Sequence, residues 1–347
     1  MQFRNLLLLA VAAVPALATP VKRSGQQAFK FPLSNGFPNP SPSALAAIEK
    51  QAHGTLPNGA LPTSFNKSSA AVWSLIAFNE IFEVAYFTSL VNNITSGVSG
   101  YESADKELLN TLTAIIAQEE LHALGANAVL KTAGYPTIAP CEYVFPVDNL
   151  NDALAFATTF TDLVLGTLQT ALTAFGLDQD TEFLGLVGGV IGQEGEQVGY
   201  LRSGAGKIAS ALPFLTVGGP VWANSALNQL VVVPGSCPST LPIPVLKPLK
   251  VSKITEAKTQ TITFTYPGSE YKGYSLSYIN QQNKPLVYPI TNAKVSGGFV
   301  TFDTTFQYAD NLLNGLTIAS IVKGVGPMTP TEVQTNAIAG PALIELN

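Results

Sequence analysis

The chain has 347 residues, of which 46% are hydrophobic and only 12% are charged, and its formal net charge is −5. This length suits two units that each bury a core, and so apolar a composition excludes a disordered chain. Two cysteines exclude a zinc-finger or disulfide-rich scaffold, and the 18 Lys and Arg residues form no basic patch, so we expect no nucleic-acid partner.

The first residues have the layout of a secretory signal peptide. Arg4 precedes an apolar run over residues 6–17, and a small-x-small triplet ends it at Ala18. The run is too short to span a membrane, so we predict cleavage near Ala18 and no transmembrane anchor in the mature chain. Lys22 and Arg23 form a dibasic pair that resembles the processing sites of fungal secreted proteins. The expected location is extracellular or in the cell wall.

The predicted secretion also affects how the sequons and the two cysteines are interpreted. The sequons at Asn66 and Asn93 become candidate glycosylation sites. An oxidising compartment makes a disulfide between Cys141 and Cys237 the default pairing, since free thiols would be exposed to oxidation. Any macromolecular partner is then expected at the cell wall or cell surface, and its identity is unknown.

Changes in composition divide the chain into an irregular segment, a helical unit and a strand unit. The first segment is rich in Ser, Asn, Pro and Gly, with one short helix expected from Pro42 to Ala52. The predicted bounds are 1–18 for the signal peptide, 19–68 for the Pro/Gly-rich segment, 69–233 for a helical bundle, 234–250 for a proline-rich linker and 251–347 for a β-sandwich.

The helical unit contains four long apolar segments with helical period, separated by turn signals. Their predicted bounds are 70–91, 103–133, 149–175 and 180–201. The third is expected to begin with Asn149 as its cap and to stop at Gly176. Helices of this length in succession predict a four-helix bundle, with residues 134–150 as its crossover connection or a capping loop. A fifth helix is expected around residues 225–230.

Beyond the proline-rich linker the apolar pattern has period two. Segments such as 261–266 and 316–322 alternate β-branched or aromatic residues with others, between Gly, Asn and Pro clusters. This pattern predicts an antiparallel sandwich of about seven strands. The predicted fold class is therefore α+β, a four-helix bundle followed by an antiparallel β-sandwich.

Carboxylates lie in the middle of the inward-facing seams of the predicted bundle helices. Residues three and four apart share one helix face, and the seams drawn on that basis are apolar at both ends. On the first helix the apolar seam positions are Trp73, Ile76, Phe87 and Leu90. The exceptions at mid-depth are Glu80, Glu83, Glu119, His122 and Glu194. Burying an isolated carboxylate is costly, so such residues must be paired, protonated or bound to a cation. No Lys or Arg lies on the seams near that level.

Glu119 and His122 form Glu-x-x-His, which places an oxygen and an imidazole nitrogen one helical turn apart. With the segments 78–87, 118–123 and 193–202, the chain resembles the ferritin-like superfamily. It is most similar to secreted fungal stress-response proteins that carry a ferritin-like domain, over roughly residues 40–235. The resemblance implies a helical bundle with a carboxylate-histidine site for iron or manganese.

Carried over residue by residue, the resemblance implies metal ligands on three helices. The first helix supplies Glu80 or Glu83, the second supplies Glu119 and His122, and the fourth supplies Glu194. Two positions depart from the family pattern. The third bundle helix has Thr161 followed by Asp162 in place of a Glu, and the fourth has Gln197 in place of a His. Asp162 and Gln197 are therefore weak candidates, and one ion is favoured over two.

Other interpretations of these residues stay open at this point. The carboxylates could form a polar network satisfied by water, Thr161, Gln197 and Tyr86, with no metal. The seam could also be drawn wrongly and lie at a solvated face. Glu120 and Glu196, beside the seam, are expected to be surface charges.

Two classes of function follow from these interpretations. The degraded ligand set favours a secreted protein of stress-response type that has no catalytic turnover and binds one ion or none. The alternative is a metal-dependent oxidoreductase, an iron or manganese oxidase or peroxide-consuming enzyme, that uses the same carboxylates. The catalytic residues are unknown in either case.

Overall fold

The computed structural model describes residues 27–254 and 256–347, so the predicted signal peptide and the dibasic pair lie outside the described residues. Its helical part begins with a short helix and continues with four long ones, in the predicted order. The bounds are α1 Pro42–Gln51, α2 Lys67–Thr95, α3 Lys106–Thr132, α4 Leu150–Asp178, α5 Leu184–Gly204 and α6 Pro220–Leu230.

The ends of α4 and α5 differ from the prediction. The side chain of Asn149 caps α4 as expected, by accepting a hydrogen bond from the Asp152 backbone N–H at 3.0 Å. The predicted stop at Gly176 was wrong, because α4 continues to Asp178 and the left-handed residue that ends it is Gln179, with φ 64°. A 3₁₀ turn follows, so α5 begins at Leu184 rather than at Asp180.

The most apolar helices, α2 and α4, lie in the middle of the bundle. By length and mean hydropathy alone both could cross a membrane, with 18-residue windows averaging 1.3 and 1.2. Inside the fold, 83% of that window in α2 and 56% in α4 is buried. The apolar faces of both helices are thus used in contacts with the rest of the chain, mainly α3 against α2 and α5 against α4.

The connection between α3 and α4 is fixed at both of its faces. Tyr143 pairs as an isolated β-bridge with Phe29 on one side and with Val232 on the other. Cys141, in the same connection, forms the predicted disulfide with Cys237, which confirms that pairing. The crossover is therefore tied both to the N-terminal segment and to the chain that follows α6.

The remaining chain forms strands interrupted by two short helices. The bounds are β1 Lys250–Val251, β2 Gln260–Pro267, β3 Tyr274–Asn280, β4 Leu286–Pro289, β5 Lys294–Ser296, β6 Phe299–Phe306, α7 Tyr308–Asn311, β7 Gly315–Lys323, α8 Pro330–Asn336 and β8 Ala337–Leu346. The strands form two four-stranded antiparallel sheets, with strand orders β1-β2-β6-β5 and β4-β3-β7-β8. The described strands number eight, one more than predicted, and the sandwich arrangement stays a prediction.

The sheet β4-β3-β7-β8 is covered on both faces. Ala319 and Ile321 of β7 belong to an apolar cluster shared with the other sheet. Leu316, Ile318 and Val322, which alternate with them, belong to the same apolar core as α2 and α4. Because successive side chains of a strand point to opposite faces, these two sets of residues lie on opposite faces of the sheet. The strand unit therefore contacts the helices through apolar side chains of β7.

Candidate metal centre

Helix α2 supplies two buried carboxylates, one turn apart. Glu80 is 0% exposed and Glu83 is 1% exposed, because the seam of α2 faces the bundle interior along its whole middle section. The Glu83 side chain accepts a hydrogen bond from the Asn79 amide at 3.2 Å. Its other oxygen, and both oxygens of Glu80, are buried without a hydrogen-bond partner among the described residues.

Helix α3 supplies the Glu-x-x-His pair, and the helical spacing brings the two side chains into contact. His122 Nδ1 lies 2.9 Å from Glu119 Oε2. The same nitrogen lies 3.5 Å from Glu80 Oε2 and 3.9 Å from Glu194 Oε1. The imidazole edge that carries Nδ1 therefore faces three carboxylates from three different helices.

Helix α5 supplies Glu194 and, one turn later, Gln197. Glu194 is 0% exposed, and neither of its carboxylate oxygens has a hydrogen-bond partner in the described part of the chain. The Gln197 amide donates a hydrogen bond to Glu119 Oε1 at 2.7 Å. Gln197 thus contacts the cluster, but it acts as a donor to a carboxylate at the position where the family pattern has a histidine.

Together these helices bring four side chains into one compact group, Glu80, Glu119, His122 and Glu194. One ligand atom from each lies within 4.8 Å of every other. Three carboxylate oxygens and one imidazole nitrogen are a donor set that suits a first-row divalent cation. Unpartnered buried carboxylates are expensive unless a cation or protons compensate them, so the residues present fit a metal ion.

The charges of the group are unevenly distributed. Burial alone would raise the pKa of Glu119, but the neighbouring His122 and the Gln197 amide lower it below its ordinary value. Burial also opposes the charged imidazole, yet Glu119 and Glu80 raise the pKa of His122 well above its usual range. In the absence of a metal ion, Glu119 and His122 are therefore a charged pair.

The other carboxyl groups of the cluster hold protons more readily. Burial raises the pKa of Glu80 to about 7, although His122 acts in the opposite direction. Burial and the neighbouring carboxylates raise the pKa of Glu83 and that of Glu194 well above the ordinary value. A bound cation would replace these protons, because metal ligation requires deprotonated ligands.

Asp162 lies apart from this group. It is buried in α4, but the charged groups that act on it are Arg202, Lys207 and Glu345. Arg202 Nη1 donates to Glu345 Oε1 at 3.2 Å, which ties α5 to strand β8. The weak prediction that Asp162 joins the ligands therefore has no support from its position, since one residue along a helix rotates a side chain by about 100° away from the seam.

One expectation about the neighbouring polar residues was wrong, and one residue of the alternative polar network has a different partner. Glu120 is 2% exposed rather than a surface charge, and it accepts a hydrogen bond from the Asn35 amide at 2.8 Å. Burial raises its pKa to about 7. Tyr86 donates its hydroxyl hydrogen bond to the Ala153 carbonyl at 2.6 Å and so does not satisfy the carboxylates. Glu196 is exposed, as predicted.

A bridge of glutamines that was not predicted from the sequence lies beside the cluster. The amides of Gln193 and Gln197, both in α5, donate to Gln118 Oε1 in α3 at 3.0 and 3.2 Å. Gln118 and Gln193 each directly precede a cluster glutamate in sequence. A residue next to a seam position lies at the edge of the helix interface. The repeated Gln-Glu pair could therefore have indicated a contact between Gln118 and Gln193.

The family model that matches the chain describes a ferritin-like domain and covers residues 75–207. None of the curated proteins matches the chain. The matched range includes most of α2, all of α3, α4 and α5, and every member of the group Glu80, Glu119, His122 and Glu194. Residues 75–207 are therefore similar to a ferritin-like domain, and the carboxylate-histidine cluster lies within this range.

Proposed function

We propose that the ferritin-like domain binds one divalent ion of iron or manganese through Glu80, Glu119, His122 and Glu194. The observation that carries this proposal is the convergence of buried, unpartnered carboxylate oxygens on His122 Nδ1. Oxygen and imidazole ligands in this ratio suit both metals. The supporting residues come from three helices, so the bundle itself sets the arrangement.

A single ion is favoured by two positions around the cluster. Gln197 donates to Glu119 Oε1, which leaves that oxygen engaged by an amide. On α4, Thr161 stands at the seam and Asp162 faces Arg202, so this helix adds no carboxylate to the group. A second ion would thus lack the ligands of these two positions.

The residues around the ion would hold it in place and keep it away from water. A bound iron or manganese ion supplies Lewis-acid and redox chemistry. Glu119 is oriented by contacts on both of its oxygens, from Gln197 and from His122. Among the four ligands only the His122 side chain has exposed surface, at 16%. Such enclosure favours retention of an ion over rapid exchange of substrates.

We propose further that the chain is a secreted protein of the stress-response type, without catalytic turnover. The features that support secretion are the signal-peptide pattern of the first residues, the two sequons and the disulfide between Cys141 and Cys237. The resemblance to fungal stress-response proteins supports the role. The incomplete ligand set supports the lack of turnover.

A second candidate function is a metal-dependent oxidase, and one observation favours it. Glu83 lies one turn from Glu80, is 1% exposed and has one unpartnered oxygen. With Glu83 the cluster has four carboxylates, whose charge equals that of two divalent cations. An oxidase with two ions would use Glu83 in place of the missing carboxylate of α4.

Metal analysis of the purified full chain after equilibration with Mn²⁺ or Fe²⁺ tests the proposal. We expect one ion per chain in the wild type, and its loss in the Glu119→Ala and His122→Ala variants, because each removes a ligand at the centre of the group. Two ions per chain, together with consumption of dioxygen or peroxide, would instead support the oxidase.

The matched control uses two acids of the same helix. Glu194→Gln is expected to abolish binding, whereas Glu196→Gln changes an exposed acid two residues away and is expected to leave it intact. Equal binding by wild type and Glu194→Gln, or no binding by the wild type, would overturn the proposal.

A further inference from the structure

Helix α5 is built differently from the helices that face it. Seven of its 21 residues are glycine, whereas α2 has none and α3 has one. Glycine inside a helix weakens it relative to alanine, because the unfolded backbone has more freedom to lose. No side-chain hydrogen bond caps the start of α5 either. The helix that carries Glu194 therefore has weak local stability.

Most of these glycines are not required by close packing. A Cβ atom added at Gly185, Gly188, Gly189, Gly192 or Gly195 would meet no other atom within 4 Å. By contrast, Gly166 of α4 leaves no room, since a Cβ there would lie 2.2 Å from the Thr216 carbonyl oxygen. The glycines of α5 thus lower the stability of the helix without serving a tight contact.

Helix α5 also contacts one neighbouring helix much more closely than the others. It packs closely on α4, but its backbone makes few close approaches to α2 or α3. Across the gap to α3, the polar contacts among the described residues are the amide bridge from Gln193 and Gln197 to Gln118, and the cluster itself. The Oε1 atoms of Gln193 and Gln197 are buried and unpartnered. This bridge is incomplete in hydrogen bonds and contains no charged pair of its own.

The cluster residue with exposed surface is His122, which lies on α3, across the gap from α5. Glu80, Glu119 and Glu194 are 0% exposed, whereas the His122 side chain on α3 retains some exposed surface. An ion cannot pass a closed, packed interior, so it needs a transient opening. By its glycine content and its few close approaches to α2 and α3, the weakest wall around the cluster is α5.

We propose that metal ions reach and leave the cluster when α5 opens locally away from α3, and that Gln118, Gln193 and Gln197 form the clasp that this opening breaks. The inference rests on the proposed metal site and adds the route to it. Gln118 and Gln193 are positioning residues in this scheme, not ligands. Opening would expose Glu194 and His122 together at the gap, where they would be the first residues to hold an incoming ion.

The test compares rates of metal release in the full chain. Mn²⁺-loaded protein is mixed with an excess of a chromogenic chelator, and the transfer of the ion is followed in time. Gly192→Ala is expected to slow the transfer about fivefold, and adding Gly188→Ala to slow it about fivefold again, because each alanine stabilises the closed helix. Gln193→Ala is expected to speed the transfer about fivefold, because it removes half of the clasp.

A matched control is Gly176→Ala, which adds the same Cβ atom to α4 at an exposed position with open space. It is expected to leave the rate unchanged. The number of ions bound at equilibrium is expected to stay the same in all of these variants. Hydrogen exchange of the metal-free chain supplies an independent readout, in which amides of α5 exchange faster than those of α3 and are slowed by Gly192→Ala.

The two proposals can fail separately. Suppose that the wild type binds Mn²⁺. The route through α5 is then wrong if Gly192→Ala releases Mn²⁺ at the wild-type rate, or if the amide hydrogens of α5 exchange no faster than those of α3. Neither result would contradict the metal site. If the wild type binds no Mn²⁺, the metal site is wrong and the route falls with it.

Discussion

Glu194 is a residue whose proposed role as a metal ligand lowers the stability of the metal-free chain. Its carboxyl group is buried at the centre of the bundle, has no hydrogen-bond partner among the described residues, and has a pKa raised by burial. A core selected for stability alone would place an apolar residue there. The acid therefore makes sense as a ligand that becomes satisfied only when a cation is present.

Replacing this acid with an apolar residue of similar length tests that interpretation. We expect Glu194→Met to raise the free energy of unfolding of the metal-free chain by about 1–3 kcal/mol, because an unsatisfied buried polar group is removed. The measurement is denaturant unfolding in the presence of a chelator. Glu196→Met, at the exposed acid two residues away, is the control and is expected to change stability by no more than about 0.5 kcal/mol. A less stable Glu194→Met variant would contradict the prediction.

At the scale of the elements, the order and period of the helices and strands could be predicted from the sequence. The seam positions drawn at helical spacing on α2, such as Trp73, Ile76 and Leu90, are all buried. The predicted strand segments 261–266 and 316–322 fall inside β2 and β7. These features depend on local periodicity, which a single sequence displays directly.

Helix ends and lateral contacts were harder to predict for physical reasons. Gly176 adopts a helical conformation because nothing in its own chemistry forces the left-handed one, and Gln179 takes that role instead. Glu120 is buried by a contact from Asn35, which lies 85 residues away in sequence. Arg202 and Glu345, 143 residues apart, likewise meet only in the folded chain. No local pattern encodes such pairs.

The start of α4 offers a prediction about one element. Asn149 accepts a hydrogen bond from the Asp152 backbone and donates one to its carboxylate at 2.8 Å. We expect Asn149→Ala to lower the free energy of unfolding by about 1 kcal/mol, as the loss of such a cap does. Asn151→Ala, at an exposed position in the same turn, serves as the control and is expected to cost nothing. Thermal or denaturant unfolding measures both, and equal effects would show that the cap contributes little.

For the whole molecule, the buried acids predict how stability depends on pH. Burial raises the pKa of Glu80 and of Glu120 to about 7 and that of Asp162 to about 6. The folded chain then holds protons that the unfolded chain has already lost. Stability is therefore greatest in mild acid, and it falls as pH rises from about 5 to about 8. The pKa of His122, raised by Glu119 against the effect of burial, acts in the same direction.

Melting temperatures of the metal-free chain between mildly acidic and mildly basic pH check this prediction. The Glu120→Gln variant is expected to show a shallower decline, because it removes one of the groups that loses its proton. Glu182→Gln changes an exposed acid and is expected to reproduce the wild-type slope. A wild-type chain that becomes more stable as pH rises would contradict the prediction.

The contact between the sheet and the bundle also has a consequence for biosynthesis. Strand β8 pairs with β7, whose Leu316 and Ile318 belong to the helical core, and Leu343 of β8 packs against the same core. The ribosome makes residues 337–346 about 130 residues after α5 is complete. Until then part of the apolar surface of the helices is uncovered. We expect chaperones to bind this surface of the nascent chain. The apolar core of the helices is therefore complete only when β7 and β8 are in place.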